Sequence, residues 1–446
     1  MTGPVATVAG LSAAATRLRR AALRPLTARG RALPVGGLGA AAAGAVLGDA
    51  DLVRLGLLCA ALPVVAVLAV RYRPGQHTVI RRVDPGELPL GEAGTVTVTL
   101  TAVGRATPTA RCEDTLPAGV RDRARFVAPA LPAGSRHAVS YALPAARRGV
   151  HAVGPLQVEV TDPFGLVRLR RTAGGTARLV VTPRVEPLPV ARFLGGRPGE
   201  GQLATLSITG GDDDSTVREY RLGDDLRRVH WATTARTGDL MVRREEPTAA
   251  AAATVLLDNR AGAHTPPGGT DLSVTFERAV SVAASVGEHL ARRGFRVALA
   301  EVARAPYVIP AGGWARSGGR GLRQHLALSA LAPRGDLAAM GGLGAAGGGL
   351  TVGVFGALSE DDLAVLAGGR ARRGTAAALL LDLAAWPAGR ISPPGSPALP
   401  AGVAAAALHA AGWAVTVLRR DTDLAGAWAA LGAGAPPTAT PARRTG

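Results

Sequence analysis

The chain has 446 residues, 47% of them hydrophobic, which is ample for two or three packed domains and excludes a wholly disordered protein. Its formal net charge is +18, yet aromatics are only 3% and every one of the 51 basic residues is arginine. Such a bias, with abundant Ala and Gly, points to GC-rich coding and weakens the inference from positive charge to nucleic acid. Cys59 and Cys112 stand far apart in sequence. They offer no disulfide framework and no CxxC metal knuckle.

Arginines are spread along the chain, with one concentration at Arg17, Arg19, Arg20, Arg24, Arg29 and Arg31. This basic stretch, residues 1–31, directly precedes an apolar one, as a cytoplasmic flank precedes a membrane helix. Two apolar runs follow, Ala32 to Gly48 built from Gly and Ala, and Leu55 to Val70 built from Leu, Val and Ala. The polar turn Asp49-Ala50-Asp51 separates them, with Arg54 just beyond. Each run is slightly short of the roughly 20 residues that cross a bilayer, which tilt and flanking residues can make up. Residues 32–73 are therefore expected to form a transmembrane helical hairpin. Arg17 to Arg31 on one side and Arg71, Arg73, Arg81 and Arg82 on the other place both ends, and everything after Tyr72, in the cytoplasm at the plasma membrane. A signal peptide and a buried helical pair are the competing readings. Pro63 is expected to kink the second helix.

Residues 76–190 read as strands. Thr95 to Thr101 alternates β-branched residues, and Arg136 to Leu143, Leu156 to Thr161 and Ala177 to Thr182 are further short runs. Gly and Pro punctuate them, at Arg148-Gly149-Val150-His151, Gly154-Pro155 and Asp162-Pro163-Phe164-Gly165-Leu166, the last reading as a turn with an apolar plug. An immunoglobulin-like β-sandwich is the expected form. A linker is expected over 191–217.

The segment 218–246 is the densest in signals. Gly223 ends an extended piece, Asp224 or Asp225 is placed to cap a helix, and Gly238 is placed to close it. In that helix Arg227 and Trp231 stand at i and i+4, a spacing that lets a guanidinium lie on the indole face. Arg236 falls near the helix C-terminus, and Leu240 to Glu246 alternates as a strand. Caps, ion pairs and domain docking account for these residues, a partner-binding surface comes next, and an acid–base set of Asp224, Asp225 and His230 lacks a nucleophile.

The spaced pattern of Arg218, Glu219, Tyr220, Gly223, Asp224, Arg227, Trp231, Ala235, Arg236, Leu240, Val242 and Glu245 resembles the signature of the bacterial family called domain of unknown function fifty-eight. Asp162 to Leu166 and Pro183-Arg184 resemble the family's middle domain. The resemblance implies an N-terminal pair of membrane helices, a β domain and a C-terminal domain resembling von Willebrand factor type A. It implies association with MoxR-type AAA ATPases and transglutaminase-like membrane proteins. It supplies no biochemical activity.

Over 250–434 strands and helices alternate. Strands are expected at Ala253 to Asp258, Phe295 to Val302, Thr351 to Phe355, Ala376 to Leu383 and Ala414 to Leu418. Helices are expected at Leu272 to Arg293 (with Asp271 before it and Gly294 after it), Leu322 to Leu331, Glu360 to Leu366, Val403 to Ala411 and Leu424 to Leu431. This is a doubly wound α/β domain, followed by a tail over 435–446. The resemblance to von Willebrand A domains implies Asp-x-Ser-x-Ser oxygens around Mg²⁺ after the first strand. Here the run is Asp258-Asn259-Arg260-Ala261-Gly262, with Arg260 and Gly262 in place of the hydroxyls. A guanidinium repels a cation, and Asp382 adds only one carboxylate, so no metal and no cofactor is expected. With no lysine there is no Walker motif, and HExxH and GxSxG are absent too.

The sequence therefore points to a membrane-anchored interaction or assembly protein rather than an enzyme. Its expected partners are the bilayer and proteins of the ATPase and transglutaminase-like kinds, with no nucleic acid. Arg218, Tyr220, Gly223, Asp224, Asp225, Arg227, Trp231, Arg236, Arg243 and Glu245 are the candidate partner-binding residues. A hydrolase using Asp224, Asp225, His230 and Asp258 is the alternative.

Overall fold

The computed structural model describes residues 26–72, 76–191, 216–219, 231–244, 252–265, 273–333, 335–340, 349–370, 375–386 and 397–433. The chain divides into two compact units, Met1–Val181 and Thr182–Gly446.

The first unit opens with two apolar helices, α1 (Ala28–Leu47) and α2 (Ala50–Tyr72). Both are longer than the hydropathy runs, and both are long and apolar enough to cross a membrane. The extra length comes from capping, which hydropathy does not see. Thr27 Oγ1 accepts the Gly30 N–H at 3.1 Å, and Asp49 Oδ1 accepts the N–H groups of Asp51 at 2.9 Å and Leu52 at 3.2 Å. Asp51, expected in the turn, is therefore helical. The Gly/Ala composition of α1 has a packing cause. A Cβ on Gly56 would lie 2.5 Å from the Gly37 carbonyl oxygen, and one on Gly37 would lie 2.6 Å from that of Gly56. The two backbones touch there, which only glycine permits. Larger side chains such as Leu38, Leu55, Leu58 and Leu68 face outward.

A β-rich body follows, with β1 (Gln76–Asp84), β2 (Glu87–Pro89), β3 (Ala93–Val103), β4 (Ala110–Asp114), β5 (Ala124–Ala128), β6 (Arg136–Pro144), β7 (Gly149–Val153), β8 (Leu156–Thr161), β9 (Arg168–Ala173) and β10 (Ala177–Thr182). These form three sheets, ordered β1-β3-β6, β2-β10-β7 and β5-β4-β8-β9. Val96, Val98, Leu100 and Ala102 alternate inward from β3 and meet Cys112, Leu143, Leu156 and Leu179. Arg81, grouped above with a juxtamembrane flank, is instead buried. Its guanidinium grips both carboxylate oxygens of Asp114, at 2.9 and 2.5 Å, and the Tyr141 hydroxyl donates to the same carboxylate at 2.6 Å. Burial and then Asp114 push the Tyr141 hydroxyl well above its usual range.

The Asp162 to Leu166 turn joins this body to the helices. Asp162 accepts the N–H groups of Val167 at 2.6 Å and Phe164 at 3.0 Å. The loop so held offers Leu166 O to the Thr27 N–H at 2.9 Å, while Leu166 and Val167 pack on Ala66, with Leu33 and Leu62 alongside.

The second unit begins with residues 182–191, which the sequence assigned up to 190 to the β body. Val185, Leu188 and Ala191 pack on the α/β core, and Glu186 pairs with Arg278. Next come β11 (Thr216–Glu219), α3 (Trp231–Thr237) and β12 (Met241–Arg244), with β11 and β12 antiparallel. The α/β body comprises β13 (Ala252–Leu257), α4 (Val274–Arg292), β14 (Arg296–Glu301), β15 (Arg304–Ile309), α5 (Gly313–Ser317), α6 (Arg320–Ala327), β16 (Leu350–Phe355), α7 (Glu360–Arg370), β17 (Thr375–Leu381), α8 (Ala401–Ala410), β18 (Ala414–Leu418) and α9 (Leu424–Gly432). Its sheet runs β15-β14-β13-β16-β17-β18, parallel except for β15. Val255 and Leu257 enter one core with α4 and α9, and Leu256 enters the other with Leu366 and Leu408. Burial on both faces is why these strands read as unbroken apolar runs. Helix α4 is capped by Ser273, whose Oγ accepts the Phe276 N–H at 3.3 Å. Asp271, noted before the expected helix, lies outside the described residues. Strand β15 and helix α5 were not anticipated, and the short helix expected over Leu322 to Leu331 forms as α6, which starts at Arg320 and ends at Ala327.

Candidate functional site

Strand order reverses between β13 and β16, the first and fourth strands of the sheet, so their carboxyl ends flank a topological switch point, where open α/β sheets place ligands. Asp258 follows β13 directly and is 0% exposed, its N–H bonded to Val354 O at 3.0 Å. Arg260 folds back onto it. Its Nε donates to Asp258 Oδ1 at 2.9 Å and Nη2 to Oδ2 at 3.0 Å, while Nη1 reaches Asp362 Oδ1 at 2.7 Å. One guanidinium thus bridges the end of β13 and the first turn of α7. Asp362 is held in turn, Oδ2 accepting the Ser359 N–H at 2.9 Å and the Ser359 hydroxyl accepting the Asp362 N–H at 3.3 Å, a reciprocal cap. A carboxylate there also suits the positive end of the helix dipole.

The remaining residues of the run are structural. Asn259 Oδ1 accepts the Val302 N–H at 2.8 Å and its amide donates to Ala330 O at 3.0 Å, pinning the β14–β15 turn. Gly262 lies in the short 3₁₀ turn Ala261–Ala263. Behind it, a Cβ on Gly356 would fall 1.9 Å from Ala263 O, so the loops after β13 and β16 meet backbone to backbone. His264 is buried with Nε2 at 2.6 Å from the Asp258 carbonyl oxygen. Burial lowers its pKa, opposed by the nearby Asp258, so the ring is neutral and donates. Burial works against the Arg260 cation as well, but the hydrogen bonds and charges of Asp258 and then Asp362 outweigh it and raise its pKa.

This donor set does not fit a divalent cation. A hard metal needs several free oxygens. Both Asp258 oxygens and one of Asp362 are taken by Arg260, and Gly262 supplies none. Asp382 is engaged by Arg419 Nε at 3.3 Å. Among the described residues no group of three His, Cys, Asp or Glu is placed to hold a metal. Asp362 escaped the sequence reading, although Ser359 three residues before it is the signal of a capping pair.

The motif segment is only partly brought together. Arg218 lies on β11 opposite Val242, and Arg243 on β12 opposite Val217. Trp231 is 70% exposed at the start of α3, and Arg236 is exposed in its last turn. Gly238 closes the helix with φ 81°, as its position predicts. Tyr220, Gly223, Asp224, Asp225, Arg227, His230 and Glu245 lie outside the described residues.

Residues 216–345 match the family described as Protein of unknown function DUF58. This part of the chain belongs to DUF58. The DUF58 stretch thus takes in the β11–α3–β12 motif, β13 with the Asp258–Arg260 turn, and the sheet edge through β15. No curated protein matches the chain. Among solved structures, the CARDB domain of the PF1109 protein from Pyrococcus furiosus, in complex with di-metal ions, is 13% identical, covers 24% of this chain and 93% of its own, and has a TM-score of 0.19. An alkylpurine DNA glycosylase of Pseudomonas fluorescens is 14% identical over 28% of this chain and 39% of its own, with a TM-score of 0.15. A β-glucosidase of Erythrobacter marinus is 14% identical over 22% and 15%, with a TM-score of 0.14. Likenesses this low carry no argument.

Proposed function

We propose that the chain is a membrane-anchored interaction or assembly protein whose α/β domain recognises a protein partner without a metal bridge. The observation that carries this reading is the Arg260 guanidinium tying Asp258 to Asp362 at the switch point. A protein cation stands where a von Willebrand A-like domain would hold Mg²⁺. The sheet order supports the von Willebrand A-like reading, and the stacked antiparallel sheets of the β body support an immunoglobulin-like one. The outward leucines of α1 and α2 and the N-terminal arginines support a transmembrane hairpin with cytoplasmic ends. A hydrolase reading loses Asp258, whose carboxylate is already spent on Arg260.

The partners that fit the family resemblance are a MoxR-type AAA ATPase and a transglutaminase-like membrane protein. Affinity purification of the full chain from washed membranes tests this. Recovery of an AAA ATPase with envelope proteins is expected; recovery of neither overturns the scaffold reading.

A further inference from the structure

A groove of about 840 Å³ in the first unit lies between one face of α2 and the β8–β9 edge of the β body. That volume is in the range of small-molecule sites. One wall is Leu62, Val65 and Ala69 of α2, and the other includes Val160 and Leu169. The α2 wall belongs to the apolar window Ala50–Val70. If that window spans a bilayer, the groove opens on the hydrocarbon and headgroup boundary.

Polar residues interrupt the apolar lining, among them Gln76, Thr161, Thr172 and Asp162, whose carboxylate oxygens accept the Phe164 and Val167 N–H groups, and three further features bear on a ligand. Thr107 is 2% exposed, and among the described residues its hydroxyl has no hydrogen-bond partner; His77 Nε2 is likewise buried and without a partner among them. Both residues line the groove. Orphaned polar atoms of this kind are costly unless a ligand supplies the missing bond. The third feature is Arg171. In the β8–β9 register it stands opposite Val158, on the face that carries Val160 and Leu169, whereas Arg168 and Arg170 on the other face pair with Glu159. Arg171 has no acidic partner among the described residues and is exposed at the groove.

A largely apolar groove that also presents two buried hydrogen-bonding atoms and a guanidinium, none partnered among the described residues, is complementary to an amphiphile with an anionic head. We infer that the groove seats one anionic phospholipid of the membrane, its acyl chain along α2, its ester oxygens at Thr107 and His77 and its phosphate at Arg171. The inference rests on the membrane-anchor reading above. Ala69 and Val65 are exposed, so bulk added there enters the groove rather than a packed core.

The test is native mass spectrometry of the full chain purified from membranes in mild detergent, with phosphatidylglycerol or phosphatidylcholine added back. Wild type is expected to retain one phosphatidylglycerol per chain in preference to phosphatidylcholine. Ala69→Trp is expected to lose most of it with an unchanged thermal midpoint, and Arg171→Ala to lose the headgroup preference. No retained lipid, retention by Ala69→Trp equal to wild type, or equal retention of both lipids by wild type would overturn the proposal. A chain recovered in the soluble fraction would instead sink the anchor reading, which separates the two failures.

Discussion

Arg260 makes three charge-assisted hydrogen bonds to two carboxylates, one of them fully buried. Removing one partner of a buried ion pair strands the other, and breaking such a pair costs about 3–5 kcal/mol. Arg260→Ala is therefore expected to lower stability by about that amount in denaturant unfolding of the full chain. Arg260→Lys is expected to recover only part of it, because an ammonium lacks the planar fork that reaches both oxygens of Asp258 and still touches Asp362. Full stability in Arg260→Ala would remove the latch from this account. A second residue makes a pH prediction. Burial, then Arg304, lowers the His325 pKa from 6.5 to about 4. Between those values the unfolded chain holds a proton that the folded one does not, so stability rises with pH and is lost as pH falls from 6.5 towards 4. His264 and His289 are lowered too, burial being the leading cause in each, and act with the same sign. The thermal midpoint is expected to drop between pH 7 and pH 5, and His325→Gln to flatten that slope; a midpoint that climbs on acidification contradicts it.

Among the elements, the α1–α2 pair is the most exacting. Gly56→Val would place a Cβ 2.5 Å from Gly37 O and from the Ala41 nitrogen, contacts that only separation of the helices relieves. Overpacking of this kind costs about 1–3 kcal/mol, and limited proteolysis at the Gly48–Asp49 turn is expected to accelerate in the variant. An unchanged cleavage rate would show that the pair tolerates the insertion. The sequence made this pair legible as elements, but their ends were set by Thr27, Gly48 and Asp49, which a hydropathy window does not weigh. In the α/β body the long apolar strands were read to within a residue or two, because burial on both faces leaves an unbroken signal. Strand β15 was missed for the opposite reason: its turn is Val302-Ala303, without Gly or Pro, and Pro306 argues against a central strand while an edge strand accepts it. The latch was half legible. Asp258 and Arg260 stood together in sequence, whereas Asp362 reaches them only through the crossover that sets β16 beside β13.

At the scale of the whole molecule, the formal charge of +18 is carried by arginines outside the interior ion pairs, because those pairs bring in at least as many carboxylates as guanidinium groups. Arg81, Arg260, Arg278 and Arg323 are spent on Asp114, Asp258 with Asp362, Glu186 and Glu288, inside the two units. Two of these contacts tie elements together: Arg81 with Asp114 inside the β body, and Arg260 with Asp258 and Asp362 between the end of β13 and α7 in the α/β body. The measurement that bears most directly on this account is isothermal calorimetry of the full chain in detergent, titrated with Mg²⁺ and with Mn²⁺. The account predicts no binding heat above dilution in wild type. Micromolar binding that Asp258→Ala abolishes would contradict it.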